Sequence, residues 1–117
     1  MTGKSADNSA DTLRYFDMEY IERMLVELCQ TASPTGLAEP ALRIVERELE
    51  AWGVATRRTR KGAVLGKIGG RVAEECRALT AHVDTLGAMV KGIKDNGRLW
   101  LTQIGGYAWD TIEGEYC

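Results

Sequence analysis

The sequence has few cysteines and no pair of them at the spacing of a metal site. The number of cysteines is odd, and the three residues, Cys29, Cys76 and Cys117, lie far apart and include no C-x-x-C pair. This pattern argues against a disulfide framework and against a zinc knuckle, and it is typical of a reducing compartment. We therefore expect a cytoplasmic protein.

The sequence also lacks long apolar runs and an excess of positive charge. No stretch approaches the roughly 20 apolar residues that cross a bilayer, and residues 1–11 are too polar for a secretory signal. The formal net charge of −2 gives no electrostatic footprint for nucleic acid or an anionic membrane. The single basic run, residues 57–61, could bind phosphate or act as a targeting signal, but a solvated edge strand with protective charges explains it equally well. We therefore expect neither nucleic acid nor a membrane as a partner.

The apolar content of 44% in 117 residues is enough for one small domain, which is predicted to begin with two helices. Residues 1–16 are expected to form a disordered tail. Asp17 is a credible N-cap, after which apolar residues recur at helical spacing to about Thr31. A second helix is predicted from about Glu39 until Gly53 stops it. Its predicted buried stripe consists of Leu42, Val45, Leu49 and Trp52.

The second half is predicted to form strands, because the apolar period changes to two after Gly53. Residues 77–83 are the predicted central strand. An Asn-Gly turn at residues 95–97 joins two later strands, and Asn-Gly is the strongest short-range hairpin signal. Helices packed on a mixed sheet would make an α/β domain, with ligands bound at the C-terminal end of the central strand. The full set of predicted strands covers residues 54–60, 63–68, 77–83, 88–94 and 98–104.

The only histidine, His82, lies at the end of the predicted central strand, two residues before Asp84. Residues i and i+2 of a strand share a face, so the imidazole could ligate an ion while the carboxylate holds its tautomer. Two ionisable groups at the end of an apolar strand would be expensive without a partner such as a metal. By itself, however, His-x-Asp is a weak pattern. The alternative is a surface histidine that happens to lie near an aspartate.

The stretches around this pair resemble a known family. Residues 79–91 read Leu-Thr-Ala-His-Val-Asp-Thr-Leu-Gly-Ala-Met-Val-Lys, and residues 93–106 contain the Asn-Gly hairpin followed by Ile-Gly-Gly. The loop Ser-Pro-Thr-Gly-x-x-Glu at residues 33–39 resembles the family's usual opening. Over residues 21–117 the chain is similar to the co-catalytic metallo-aminopeptidases, which include the tetrahedral (TET) aminopeptidases, the glutamyl aminopeptidases and the proteins once called M-type endoglucanases.

The resemblance implies a fold and a reaction. Residues 17–86 would be the N-terminal part of an α/β/α zinc-peptidase domain, and residues 87–117 would begin an inserted β-rich dimerisation domain. His82 would ligate one of two divalent metal ions, zinc or cobalt, and Asp84 would support catalysis by hydrogen bonding to the His82 ring. The reaction would remove N-terminal amino acids from peptide substrates. The family implies a homo-oligomer built from dimers, typically with twelve subunits.

The resemblance also implies that most of the site is missing. The family needs further acidic ligands, a glutamate base and a second histidine, whereas this sequence has one histidine. One His ligand with one nearby carboxylate falls short of the three or four protein ligands of a tight zinc site. We therefore expect the N-terminal third of an enzyme, inactive by itself.

Two alternatives stay open. One is a non-catalytic short form that acts as an interaction or oligomerisation module. The other is a deacylase or carboxypeptidase that also uses His-x-Asp, against which the Leu86-Gly87 continuation and the Asn-Gly hairpin argue.

Overall fold

The computed structural model describes residues 16–72 and 75–116. These residues form two units, one that ends at Gln30 and one that begins at Thr31. Apart from Phe16, the predicted disordered tail lies outside the described residues. No helix of the described part is both long and apolar enough to cross a membrane.

The first unit contains helix α1, Met18–Gln30, which confirms the prediction for this segment. The backbone N–H of Tyr20 donates to Oδ1 of Asp17 at 2.9 Å, so Asp17 caps the helix as expected. Glu19 lies in the first turn, where the helix dipole favours a negative charge. The start of α1 is therefore set by residues within a few positions of it.

The second unit begins with helix α2, Glu39–Ala51, whose bounds also agree with the sequence. Gly53 adopts a φ of +73°, a left-handed conformation that suits the residue after a helix. The predicted buried stripe was wrong at Trp52, whose side chain is 73% exposed. Trp52 lies beyond the last helical residue, so the helical period no longer sets its direction. The buried residues of α2 are Ala41 and Ile44, while Leu42, Val45 and Leu49 are half-buried.

Two short antiparallel hairpins follow, both predicted in position. Strands β1, Thr56–Arg58, and β2, Val64–Gly66, pair with each other around a turn that contains Gly62. Strands β3, Gly87–Ile93, and β4, Leu99–Ile104, form the second pair. In the turn between β3 and β4, the backbone N–H of Arg98 donates to Oδ1 of Asn96 at 3.1 Å, and Gly97 has a φ of +78°. A short 3₁₀ helix, Trp109–Ile112, comes after β4.

The predicted central strand was wrong. Residues 77–84 pair with no strand among the described residues, and the first pairing after them is one parallel bridge between Pro34 and Thr85. Both sheets are two-stranded and antiparallel, so the described residues form no mixed sheet. Alternating apolar residues mark a segment that suits a sheet, but a ladder also needs a neighbouring strand. The combination of helices and small sheets is compatible with the predicted α/β class.

A loop that follows α1 in sequence, residues 33–36, fixes the segment that carries the histidine. We call these four residues the anchor loop. The buried Ser33 donates its hydroxyl to the backbone carbonyl of Val83 at 2.8 Å. The backbone N–H of Thr85 donates to the carbonyl of Ser33 at 2.9 Å. Val83 and Thr85 are thus both tied to one residue of the anchor loop.

Strand β1 is joined to α2 by an ion pair. The Arg58 guanidinium contacts both carboxylate oxygens of Glu46, at 2.5 Å and 2.8 Å, and lies 3.2 Å from Glu39. This hydrogen bond with Arg58 is the main reason why the pKa of Glu46 is lowered, and Arg43 adds a weaker attraction. The pair therefore links the hairpin to the helix near the surface, where ion pairs are individually weak.

Removal of the Arg58 guanidinium should raise the pKa of Glu46. We expect Arg58→Gln to return it toward its ordinary value and Arg43→Gln to move it much less, since Arg43 acts only at a distance. Carboxyl ¹³C NMR titration measures both variants. Because the folded-state pKa is lowered, the pair stabilises the fold fully above the ordinary pKa and is lost as pH falls through the lowered value. Equal shifts in the two variants would contradict the assignment.

A side chain at Gly87 should push the anchor loop away from the segment that it holds. A Cβ at Gly87 would lie 2.7 Å from Cβ of Pro34, whose ring cannot swing aside, whereas a Cβ at Gly106 would meet nothing within 4 Å. We expect Gly87→Ala to speed hydrogen exchange of the Thr85 amide roughly tenfold. Gly106→Ala is the matched control and should leave that exchange unchanged. Equal protection in both variants would show that the contact does not fix the segment.

Candidate functional site

His82 and Asp84 contact each other, as their spacing predicts. Nδ1 of His82 lies 3.2 Å from Oδ1 of Asp84 and 3.1 Å from the backbone carbonyl oxygen of Asp84. An ionised carboxylate and a carbonyl oxygen can only accept hydrogen bonds, so this geometry puts the imidazole proton on Nδ1. Nε2 then carries the lone pair that a metal ion could use.

The Asp84 carboxylate is held by Thr35 as well as by the histidine. The Thr35 hydroxyl donates to Oδ2 of Asp84 at 2.8 Å, while Oδ1 faces His82. The hydrogen bond from Thr35 is the largest cause of the lowered pKa of Asp84, and the nearby imidazole contributes further. The carboxylate is therefore held ionised, the form that accepts the Nδ1 proton.

The cost of burial that the sequence predicts for His82 and Asp84 does not arise in the structure. The side chain of His82 is 84% exposed and that of Asp84 is 41% exposed, so water can solvate both. The segment lies at the surface because it has no covering strand among the described residues. The case for a site therefore depends on hydrogen-bond geometry and not on a need to neutralise buried charge.

An open cleft of about 650 Å³ lies beside the pair. His82 and Asp84 line it together with residues 35–36 of the anchor loop, the start of α2 at Glu39 and the β1–β2 turn at residues 61–62. Its walls thus carry an imidazole, two carboxylates and the side chain of Lys61. The His82 side chain is therefore accessible from this open cleft.

The described residues supply only a part of a metal site. No group of three or more His, Cys, Asp or Glu residues within ranges 16–72 and 75–116 is arranged to hold a metal ion. The arrangement of His82 fits a metal ligand, because a ligating histidine usually donates its other ring N–H to a carboxylate or carbonyl. One imidazole with one supporting carboxylate is nevertheless too few for a tight site.

Sequence reasoning found His82 and Asp84 but missed the hydroxyl groups that hold them. Thr35 and Ser33 lie 49 and 50 residues away from their partners. No period or short motif connects residues at that distance. The only local signal is the Ser-Pro-Thr-Gly loop at residues 33–36, which indicates a family resemblance and does not indicate these contacts.

Comparison with known proteins agrees with the motif around this site. Residues 62–117, which include His82, Asp84 and both strands of the second hairpin, match the family model of the M42 glutamyl aminopeptidases. The chain is also 47% identical over 94 residues to the putative aminopeptidase YhfE of Bacillus subtilis (strain 168). That alignment covers 80% of this chain and 27% of YhfE, so the chain spans about a quarter of its relative. The family match and the relative therefore agree that this chain is similar to the M42 peptidases.

Proposed function

We propose that this chain forms part of a metal-dependent aminopeptidase that removes N-terminal residues from peptides. In this proposal His82 ligates one of two divalent metal ions, zinc or cobalt, and Asp84 orients the His82 ring. The observation that carries it is the contact from Nδ1 of His82 to Asp84, within residues that match a peptidase family. When bound, the metal ions would activate water and polarise the peptide carbonyl.

Each residue of the pair has a separate task. His82 would present Nε2 toward the metal, because its Nδ1 proton is directed at Asp84. Asp84 would stay ionised through the attack, since the Thr35 hydrogen bond favours its charged form. The cleft beside the pair would admit the end of a peptide chain. Cytoplasmic localisation and a dimer-based homo-oligomer complete the proposal.

The ligand count of the chain implies that it needs more of the protein to act. A tight zinc site uses three or four protein ligands, and the described residues bring together one imidazole and one carboxylate. The alignment with YhfE leaves most of that relative unmatched. We therefore propose that the remaining ligands and the general base come from outside these 117 residues.

A second candidate function is an interaction module without catalysis. It is favoured by the apolar side chains that the second hairpin exposes to solvent, such as Met89 at 57% and Trp100 at 55%. Apolar patches of this kind commonly mark protein contacts. This candidate does not need the contact between His82 and Asp84. Variants of that pair should therefore impair an aminopeptidase and leave an interaction module unchanged.

The purified 117-residue chain should not hydrolyse leucine or glutamate anilides, with or without added zinc or cobalt. The reason is the incomplete ligand set, because one histidine cannot hold two metal ions in place. Release of the anilide chromophore is the measurement, and an intact M42 aminopeptidase is the positive control. Sustained turnover by the chain, abolished by a chelator, would refute this account of the site.

The aminopeptidase role can be tested by exchanging the aligned segment of YhfE for that of this chain. The chimera should release N-terminal residues from peptides at a rate near that of YhfE. Asp84→Asn should cost roughly 10–100-fold in activity, as loss of a group that supports a metal ligand does, and His82→Ala should cost more. Cys76→Ser, at an exposed position in the same stretch, is the control and should keep the activity.

Two outcomes of this exchange would contradict the proposal. A folded chimera without activity, next to active YhfE, would favour the interaction module. An active chimera that tolerates His82→Ala would show that the histidine is not a ligand. Measurement of bound metal in the same variants should show that His82→Ala loses metal and Cys76→Ser does not.

A further inference from the structure

We propose that Thr35 is a positioning residue that orients the Asp84 carboxylate and thereby sets the tautomer of His82. This inference rests on the proposed function in one respect, which is that Nε2 of His82 binds a metal ion. The tautomer of His82 is a property of the chain without metal and does not depend on that function. The observation behind it is the 2.8 Å hydrogen bond from the Thr35 hydroxyl to Oδ2 of Asp84.

The two oxygens of the Asp84 carboxylate have different partners. Thr35 binds Oδ2, and His82 lies beside Oδ1 at 3.2 Å. A side chain that is 41% exposed could otherwise turn toward water, since carboxylates are well solvated. With Oδ2 engaged, the plane of the carboxylate is set and Oδ1 remains directed at Nδ1 of His82. Thr35 thus acts on the histidine through Asp84 and does not need to touch it.

The Thr35 hydroxyl can act in this way because its own position is fixed. Ser33, two residues before Thr35, is tied to the backbone on both sides of Asp84, through Val83 and Thr85. The backbone N–H of Leu37 donates to the carbonyl of Pro34 at 2.7 Å and closes the turn that contains Thr35. The anchor loop therefore holds the backbone of the segment with Ser33 and the carboxylate with Thr35.

The consequence for the imidazole is a preference for the Nδ1–H tautomer. Nδ1 is flanked by Oδ1 and by the backbone carbonyl oxygen of Asp84, and both are acceptors. The Nε2–H tautomer would place the Nδ1 lone pair against two oxygens and lose both hydrogen bonds. If Oδ1 turns away, only the carbonyl contact remains and the preference weakens. The exposed Nε2 is then no longer reliably a lone-pair donor.

The test uses the fact that His82 is the only histidine. Incorporation of ¹⁵N-labelled histidine into the 117-residue chain gives one pair of imidazole signals, whose shifts report the tautomer ratio at a pH where the ring is neutral. We expect the Nδ1–H form to dominate in the unsubstituted chain. Thr35→Val should shift the ratio toward Nε2–H by roughly fivefold, the effect of about one net hydrogen bond. Thr35→Ser keeps the hydroxyl and should restore the original ratio.

Thr111→Val is the matched control, because it makes the same substitution at a hydroxyl that donates to the backbone carbonyl of Ala108 and not to the Asp84 carboxylate. An equal shift in Thr111→Val, or a shift in Thr35→Val that Thr35→Ser does not rescue, would show a merely structural role and overturn the proposal. A dominant Nε2–H form in the unsubstituted chain, or an unchanged ratio in Thr35→Val, would overturn it too. Since this measurement needs neither metal nor peptide, an inactive YhfE chimera would refute the enzyme and leave the tautomer result standing.

Discussion

The contact between the anchor loop and residues 83–87 is the constraint on which the candidate site depends. Residues 77–84 have no strand beside them in the described part of the chain, so no ladder sets the direction of their side chains. The direction of these side chains is set instead by contacts with the anchor loop. These contacts are two hydrogen bonds with Ser33, one parallel bridge at Pro34 and the close approach of Pro34 to Gly87, which has no side chain. Without these contacts, His82 and Asp84 would be neighbours in sequence on an unsupported segment.

Burial contributes little to this arrangement. Among the described residues only Ala41, Ile44 and Ser33 are buried, and many large apolar side chains remain exposed. Directional hydrogen bonds therefore organise the site, and Ser33 is the one residue that belongs both to the small core and to the loop. A site built in this way is sensitive to single hydroxyl groups. It is less sensitive to the size of the apolar residues around it.

The local parts of the fold could be predicted from the sequence, and the distant contacts could not. Asp17 and Gly53 marked helix ends, and the Asn-Gly turn marked the second hairpin, because each signal acts within a few residues of its effect. The i, i+2 spacing of His82 and Asp84 also predicted their contact. The prediction of a central strand at residues 77–83 was wrong because a strand requires a partner from elsewhere in the chain. The expected burial of His82 and Asp84 was wrong for the same reason, since burial requires a covering layer.

Similarity to the M42 family gives the pair a chemical context that its local geometry lacks. A histidine beside an aspartate on an exposed segment is a common surface arrangement, and nothing about the 3.2 Å contact is specific to metal binding. The match over residues 62–117 supplies the peptidase context in which we propose that the pair acts. In turn, the spacing of two residues directs Nδ1 of His82 at the Asp84 carboxylate and leaves Nε2 for another partner.

The separation of the anchor loop from its partners also bears on the order in which the chain folds. The hairpins and helices form from neighbouring residues, whereas the Ser33 and Thr35 hydrogen bonds close a stretch of about 50 residues. Closing a long stretch loses more chain entropy than closing a hairpin, and non-local contacts form late. We therefore expect the Ser33 and Thr35 hydrogen bonds to form late in folding, after the local contact between His82 and Asp84 is possible. We also expect them to open early in local fluctuations, because few buried groups surround them.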